Sequence, residues 1–280
     1  MKVFVVSLMH NEADIISQTI DHYIKNKVDG FIVSDILSDD GTKDILEQKR
    51  KWCWDNGIKF VLIHEMQFGY FQAIKFNAMA RMAASLVYPE DCFVIPIDAD
   101  EYWHYVFGPV GDFLRKTDVK YFWSGMRNMI NTPLDDQSIK DPIKRMRYYW
   151  NPNDKRNERS NVKTIYLYRP NVWLELGAHR TRYMEMETTM DDGGLRGHHV
   201  HHLNNENLFL CHYPARSIKQ FIKKSRANSK SVTVANMQNT GANRHSVERG
   251  LMTDIELEKE FYQNYYAENP AKEKCGKLKY

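Results

Sequence analysis

The chain is poor in several things that would decide its class at once. Only four cysteines occur in 280 residues, at positions 53, 92, 211 and 275, without metal-type spacing. That scatter argues against a disulfide framework and a zinc module, and it suits a reducing cytoplasm. No run approaches the ~20 apolar residues needed to span a bilayer. The opening Met-Lys-Val-Phe-Val-Val-Ser-Leu-Met-His turns polar too soon for a secretory leader and offers no small-residue cleavage site, so it reads as a first core strand. Repeats and low-complexity stretches are absent. Charge bias is slight: a formal +3 is too small to imply a nucleic-acid partner. Basic residues do gather late, at Lys219, Lys223, Lys224, Arg226 and Lys230. A solvated helix face explains them, with peripheral contact to anionic lipid at the inner face of the membrane as the alternative.

What is present reads as a soluble globular protein of one large domain, or one domain with an appendage: 42% apolar and 27% charged residues. Over the first ~100 residues strand and helix patterns alternate, which predicts a parallel sheet covered by helices. Strands are expected at 3–8, 30–36, 57–63 and 92–97, and helices over 15–24, 42–54 and 71–86. Asn11, with Asp14 three residues on, resembles a helix cap. Later strands are expected at 121–126, 163–168, 172–176 and 208–211, with polar loops between them. Helices are expected over 217–232 and 254–267. The predicted division is a catalytic domain over 1–215 and a helical extension over 216–280.

The most informative stretch is Phe93 to Trp103, a short apolar run that stops at Asp98, Asp100 and Glu101. Ligands in open α/β sheets bind beyond the carboxyl ends of strands. Carboxylates two residues apart on extended chain share a side, and they repel unless a cation or proton lies between them. Oxygen ligands suit Mg²⁺ or Mn²⁺, whose other positions substrate phosphates often fill. A solvated acidic turn is the competing reading. Three further groups fall at strand ends. His10-Asn11-Glu12 follows the first strand, Ser38-Asp39-Asp40-Gly41-Thr42 the second, and His212 comes late, followed by Arg216, Ser217 and Lys224. Such groups can grip a base, a ribose or phosphate oxygens, although a cap, a plain turn and a structural histidine account for each alone.

Taken together, these elements resemble glycosyltransferase family 2 proteins of the GT-A fold. The likeness rests on Asn11-Glu12, on Ser38 to Thr42, on Asp98-Ala99-Asp100-Glu101-Tyr102, and on His212, Tyr213, Pro214, Arg216, Ser217, Phe221 and Lys224, and covers roughly residues 1 to 230. The resemblance implies an α/β fold of GT-A type: a Rossmann-like, mostly parallel central sheet flanked by helices, with a C-terminal helical appendage. It also implies a metal-dependent, inverting transfer of a sugar from a nucleotide-sugar donor, a UDP-sugar, to a hydroxyl of a glycan or lipid-linked acceptor. Asp98 and Asp100 would hold Mn²⁺ or Mg²⁺, with His212 completing the shell. Within the cluster Asp100 is the expected direct ligand, Asp98 works through the ribose or a water, and Glu101 orients neighbours or the acceptor. Donor contacts would come from Asn11, Glu12, Asp40, Gln72, Asn77, Arg216 and Lys224. The family's late Glu-Asp pair is missing. The candidate bases are therefore Asp191, favoured for its Gly-rich loop, Glu185 and His179.

Neighbouring histidines on extended chain point to opposite faces, so His198 to His202 reads as an acceptor-side loop and not as a zinc site. Tyr102, Trp103, Trp123, Tyr148, Tyr149 and Trp150 could stack on sugar faces, but most large aromatics are core or partly buried, so at most two or three need do so. A nucleotidyltransferase is the first alternative, disfavoured by the lack of a basic, Gly-rich turn after strand one. The second is a non-catalytic carbohydrate-binding module, which has no need of paired carboxylates.

Overall fold

Strand β1 (Lys2–Met9) is apolar on both faces, and Val3, Phe4, Val5 and Val6 are fully buried. Such a strand belongs inside a parallel sheet covered on both sides. It is followed by α1 (Ile16–Lys25), β2 (Gly30–Ile36), α2 (Thr42–Asp55), β3 (Lys59–Glu65), α3 (Gln72–Val87), β4 (Cys92–Ile97), β5 (Glu101–Tyr105), α4 (Val110–Lys116) and β6 (Tyr121–Ile130). Next come α5 (Pro142–Arg145), β7 (Tyr148–Tyr149), β8 (Val162–Leu167), β9 (Val172–Leu174), a 3₁₀ turn (Leu176–Ala178), β10 (Thr181–Tyr183), β11 (Leu203–Asn204) and β12 (Leu208–His212). The chain closes with α6 (Ile218–Val234), α7 (Arg244–Leu251), α8 (Asp254–Tyr265) and β13 (Gly276–Lys277). The computed structural model describes residues 1–69, 71–151, 162–178, 181–183, 203–204, 207–235, 244–273 and 275–278.

Two units emerge: Met1–Glu65, Gln72–Met126 and Asn161–Leu210 in one, and Met66–Phe71, Arg127–Ser160 and Cys211–Tyr280 in the other. In the first, the strand order is β6-β8-β4-β1-β2-β3. The run β4-β1-β2-β3 is parallel, with Val5 level with Phe31 on one side and Ile95 on the other. β8 is antiparallel to both β4 and β6. The expected α/β architecture, a mostly parallel sheet with helices, is therefore the one observed. From β1 the chain steps outward to β2 and β3, and α3 then carries it back to β4 on the opposite side of β1. That reversal places the topological switch point at the carboxyl ends of β1 and β4, the position where α/β folds bind ligands. Helix α3 packs Phe76, Met79, Ala80, Ala83 and Val87 against Phe4, Val6, Ile32 and Val94 of the sheet. Its apolar residues recur at the three- and four-residue spacing of one helix face.

The second unit is held by bonds between distant segments. Asn131 exchanges backbone hydrogen bonds with Tyr265 and Ala267, and the Trp150 indole donates to the Asn264 carbonyl at 2.6 Å. Segments 66–71 and 127–160 thus group with the C-terminal helices, not with the sheet that flanks them in sequence. No described helix is long and apolar enough to cross a membrane.

One expectation narrows and one changes here. Tyr102, Trp103 and Trp150 are fully buried core residues, which takes them out of the six aromatics considered for sugar stacking. Asn11 does not cap α1, whose N-cap is Ile15 with no side-chain bond. Instead Asn11 takes a positive φ of 57° and turns its amide toward the loop after β2.

Candidate active site

The loops after β1 and β2 are sewn together. The Ser38 hydroxyl accepts from the Asn11 amide at 2.9 Å, and the Asn11 side-chain oxygen accepts from the Asp39 amide at 2.9 Å. The Thr42 hydroxyl accepts from the Glu12 amide at 2.8 Å and itself donates to Asp40 at 2.6 Å. Asp40 also accepts from the amides of Ala13 and Thr42 at 3.2 and 3.1 Å. Its carboxylate is thus a fastening between two loops, whatever else it touches. Asn11, Glu12 and Asp40 stand together as the sequence suggested, at one end of the sheet.

The acidic turn is fixed from behind by α1. Thr19 donates to the Ala99 carbonyl at 2.5 Å, and the Tyr23 hydroxyl donates to the Glu101 carbonyl at 2.9 Å and accepts from the Trp103 amide at 3.1 Å. The Glu101 carboxylate folds back to accept the Asp98 amide at 2.9 Å, so it caps its own turn. Exposure then separates the three acids. Asp100 and Glu101 are buried, at 0% and 1%, whereas the Asp98 side chain is 39% exposed.

Lys163 completes the cluster, and its ammonium lies 3.0 Å from Asp98 and 3.1 Å from Glu101 with only 2% of the side chain exposed. Burial works against its charge, yet the two carboxylates hold its pKa above the ordinary lysine value. Burial pushes the Glu101 carboxyl up to about 8, reinforced by Asp98 and Asp100 and opposed by Lys163. Sequence reasoning passed over Lys163. The signal was a lysine in an otherwise apolar strand, a residue that is seldom fully buried unless paired.

Helix α3 supplies two amide side chains that tie the 174–177 segment to this end of the sheet. Gln72 donates to Asp98 at 3.2 Å and accepts from the Gly177 amide at 3.0 Å. Asn77 accepts from the Leu174 amide and donates to the Leu174 carbonyl, both at 2.8 Å. Both expected donor contacts are therefore engaged with protein.

In the second unit, His212 Nδ1 lies 2.8 Å from the Asn128 side-chain oxygen and donates to it. Arg216 is 2% exposed and donates to the Tyr213 carbonyl at 3.2 Å, while Lys224 is partly buried on α6. The base candidates His179, Glu185 and Asp191, and the run His198 to His202, lie outside the described residues.

Among the described residues no three His, Cys, Asp or Glu side chains converge as a self-sufficient metal site. The donor set nevertheless fits a hard divalent cation that brings its other ligands with it. Asp98 accepts from Gln72 and Lys163, and its carboxylate reaches solvent.

No protein-family model matches the chain, and no curated protein matches it. Solved structures do superpose on it. A mannosyltransferase from Pyrobaculum calidifontis, in complex with GDP-Man and Mn²⁺, covers 97% of this chain and 77% of that chain at 14% identity and a TM-score of 0.42. S. aureus TarS covers 94% and 49% at 12% identity and a TM-score of 0.40. A Bacillus anthracis protein described as a glucose-1-phosphate thymidylyltransferase covers 95% and 86% at 8% identity and a TM-score of 0.32. Superpositions this loose carry no argument about activity.

Proposed function

We propose that the chain is a divalent-metal-dependent glycosyltransferase that moves a sugar from a nucleoside diphosphate sugar to an acceptor hydroxyl. The observation that carries this reading is the acidic turn itself. Asp98 stands half in solvent at the carboxyl end of β4, beside the strand reversal, with buried acids behind it. Asp98 and Asp100 would hold the cation, with Asp98 rather than Asp100, the direct ligand expected from the sequence, as the outward one because it alone of the pair is exposed. When bound, Mn²⁺ or Mg²⁺ supplies Lewis-acid stabilisation of the departing diphosphate.

The chain's own residues do the rest. Thr19, Tyr23 and Gln72 hold the turn rigid, so that little reorganisation is needed as charge develops on the leaving group. The loops joined by Asn11 and Asp40 would line the nucleoside's side of the site, held in place by their mutual bonds. A carboxylate or imidazole takes the acceptor's proton, with Asp191 the residue the sequence favours. A single displacement of this kind inverts the anomeric centre.

A thermal-shift screen of UDP-, GDP- and other nucleotide sugars, each with and without Mn²⁺, tests the reading. A ligand at a hundred times its Kd adds about 2.7 kcal/mol of stability. A metal-dependent rise in Tm with one nucleotide, followed by release of the nucleoside diphosphate on turnover, is the expected result. Release of pyrophosphate would instead identify a nucleotidyltransferase, and no response to any nucleotide would sink both.

A further inference from the structure

We infer that Lys163 is a built-in cation of the acidic cluster that keeps the carboxylates from holding a divalent ion alone, so that metal enters only together with the donor's diphosphate. This rests on the nucleotide-sugar reading above and deepens it.

The geometry carries the argument. Three carboxylates crowd into four residues, an arrangement that would attract a divalent ion strongly if nothing else neutralised it. The Lys163 ammonium already sits between two of them, at 3.0 Å from Asp98 and 3.1 Å from Glu101. With 2% of its side chain exposed, it faces the acids and has almost no surface to offer an incoming phosphate. Glu101 is committed as well, since it caps the Asp98 amide at 2.9 Å and is buried. Only Asp98 presents a carboxylate to solvent, and one of its oxygens carries the lysine. An arriving cation therefore meets a half-neutralised site with one exposed carboxylate. A diphosphate supplies the missing negative charge and oxygen ligands. A like charge this close weakens a cation's binding by several-fold to many-fold even at an effective dielectric constant of about 20.

The experiment is Mn²⁺ titration followed by electron paramagnetic resonance, which reads bound metal without any turnover. Wild type, Lys163→Met, Lys163→Arg and the double variant Glu101→Gln/Lys163→Met are each titrated alone and with UDP or GDP. The double variant guards against a fold lost through a buried, unpaired Glu101. For wild type and Lys163→Arg, Mn²⁺ alone is expected to bind no tighter than millimolar, and added nucleotide to create a saturable site. Lys163→Met and the double variant are expected to bind Mn²⁺ alone at least about tenfold tighter than wild type. Equal binding by wild type and both lysine-lacking variants overturns the inference, as does tight binding of Mn²⁺ alone to wild type. A gain in the variants without any nucleotide effect in wild type would keep the lysine's charge role and defeat the nucleotide-sugar reading.

Discussion

Asp98 is set apart from Asp100 and Glu101 by water: its side chain is 39% exposed while theirs are buried. Asp98→Asn keeps the shape and the Gln72 contact but removes the negative charge a cation needs. We expect transfer to fall at least about hundredfold with Tm close to wild type, measured by product formation and thermal melting. Retention of more than half the activity across Mn²⁺ and Mg²⁺ concentrations would remove Asp98 from the metal site. The acids themselves were legible because they are adjacent and end an apolar run. Their cation was not, because Lys163 lies 65 residues further along and meets Asp98 only through the pairing of β8 with β4. Gln72 and Asn77 are expected donor contacts only through the family resemblance, and their protein partners, Gly177 and Leu174, are 105 and 97 residues away. No local pattern encodes such a bond.

Among the elements, the central strands were read most accurately. Residues 30–36 and 92–97 coincide with β2 and β4, because buried parallel strands leave unbroken apolar runs. β5 was missed since it begins at Glu101, inside what reads as a polar turn, and its start is set by α1 through Thr19 and Tyr23. Helix α4 has only seven residues, too few to show a period. Its Gly111 leads to a prediction against the usual trend, in which alanine is better than glycine in a helix by about 1 kcal/mol. A Cβ at Gly111 would meet the Lys27 and Asn26 carbonyl oxygens at 2.4 and 2.7 Å. Gly111→Ala should therefore lower the urea midpoint, and an unchanged or raised midpoint would show that α4 can move aside. On α3, Asn77→Leu leaves the amide and carbonyl of Leu174 without their side-chain partner. A loss of about 2–4 kcal/mol in urea denaturation is expected, and a change below about 0.5 kcal/mol would mean that the segment finds other partners.

For the whole molecule, pH is a direct probe of how α1 meets β5. His22 donates to the Trp103 carbonyl at 2.8 Å and packs edge-on against Tyr102 and His104. Burial lowers its pKa from 6.5 to about 4, the Trp103 bond opposing and Lys25 adding to the fall. Its neutral form is the one that fits, so its contribution is complete above pH 6.5 and is lost as pH falls toward 4. The total is up to about 3 kcal/mol. Glu101, raised by burial, acts with the opposite sign over an overlapping range. The quantity to measure is therefore the stability difference between wild type and His22→Gln at pH 7.5 and pH 4.5. Parallel stability curves for the two proteins would show that His22 titrates normally. The order in which this chain leaves the ribosome gives Lys163 one more consequence. Asp98 is synthesised 65 residues ahead of it, an interval of ~3–13 s at ordinary elongation rates. During that time the parallel strands can pair while their acidic turn still lacks its ammonium. A nascent chain is thus held short of a completed acidic cluster until β8 arrives, and synthesis itself acts as the clock on when that cluster is first neutralised.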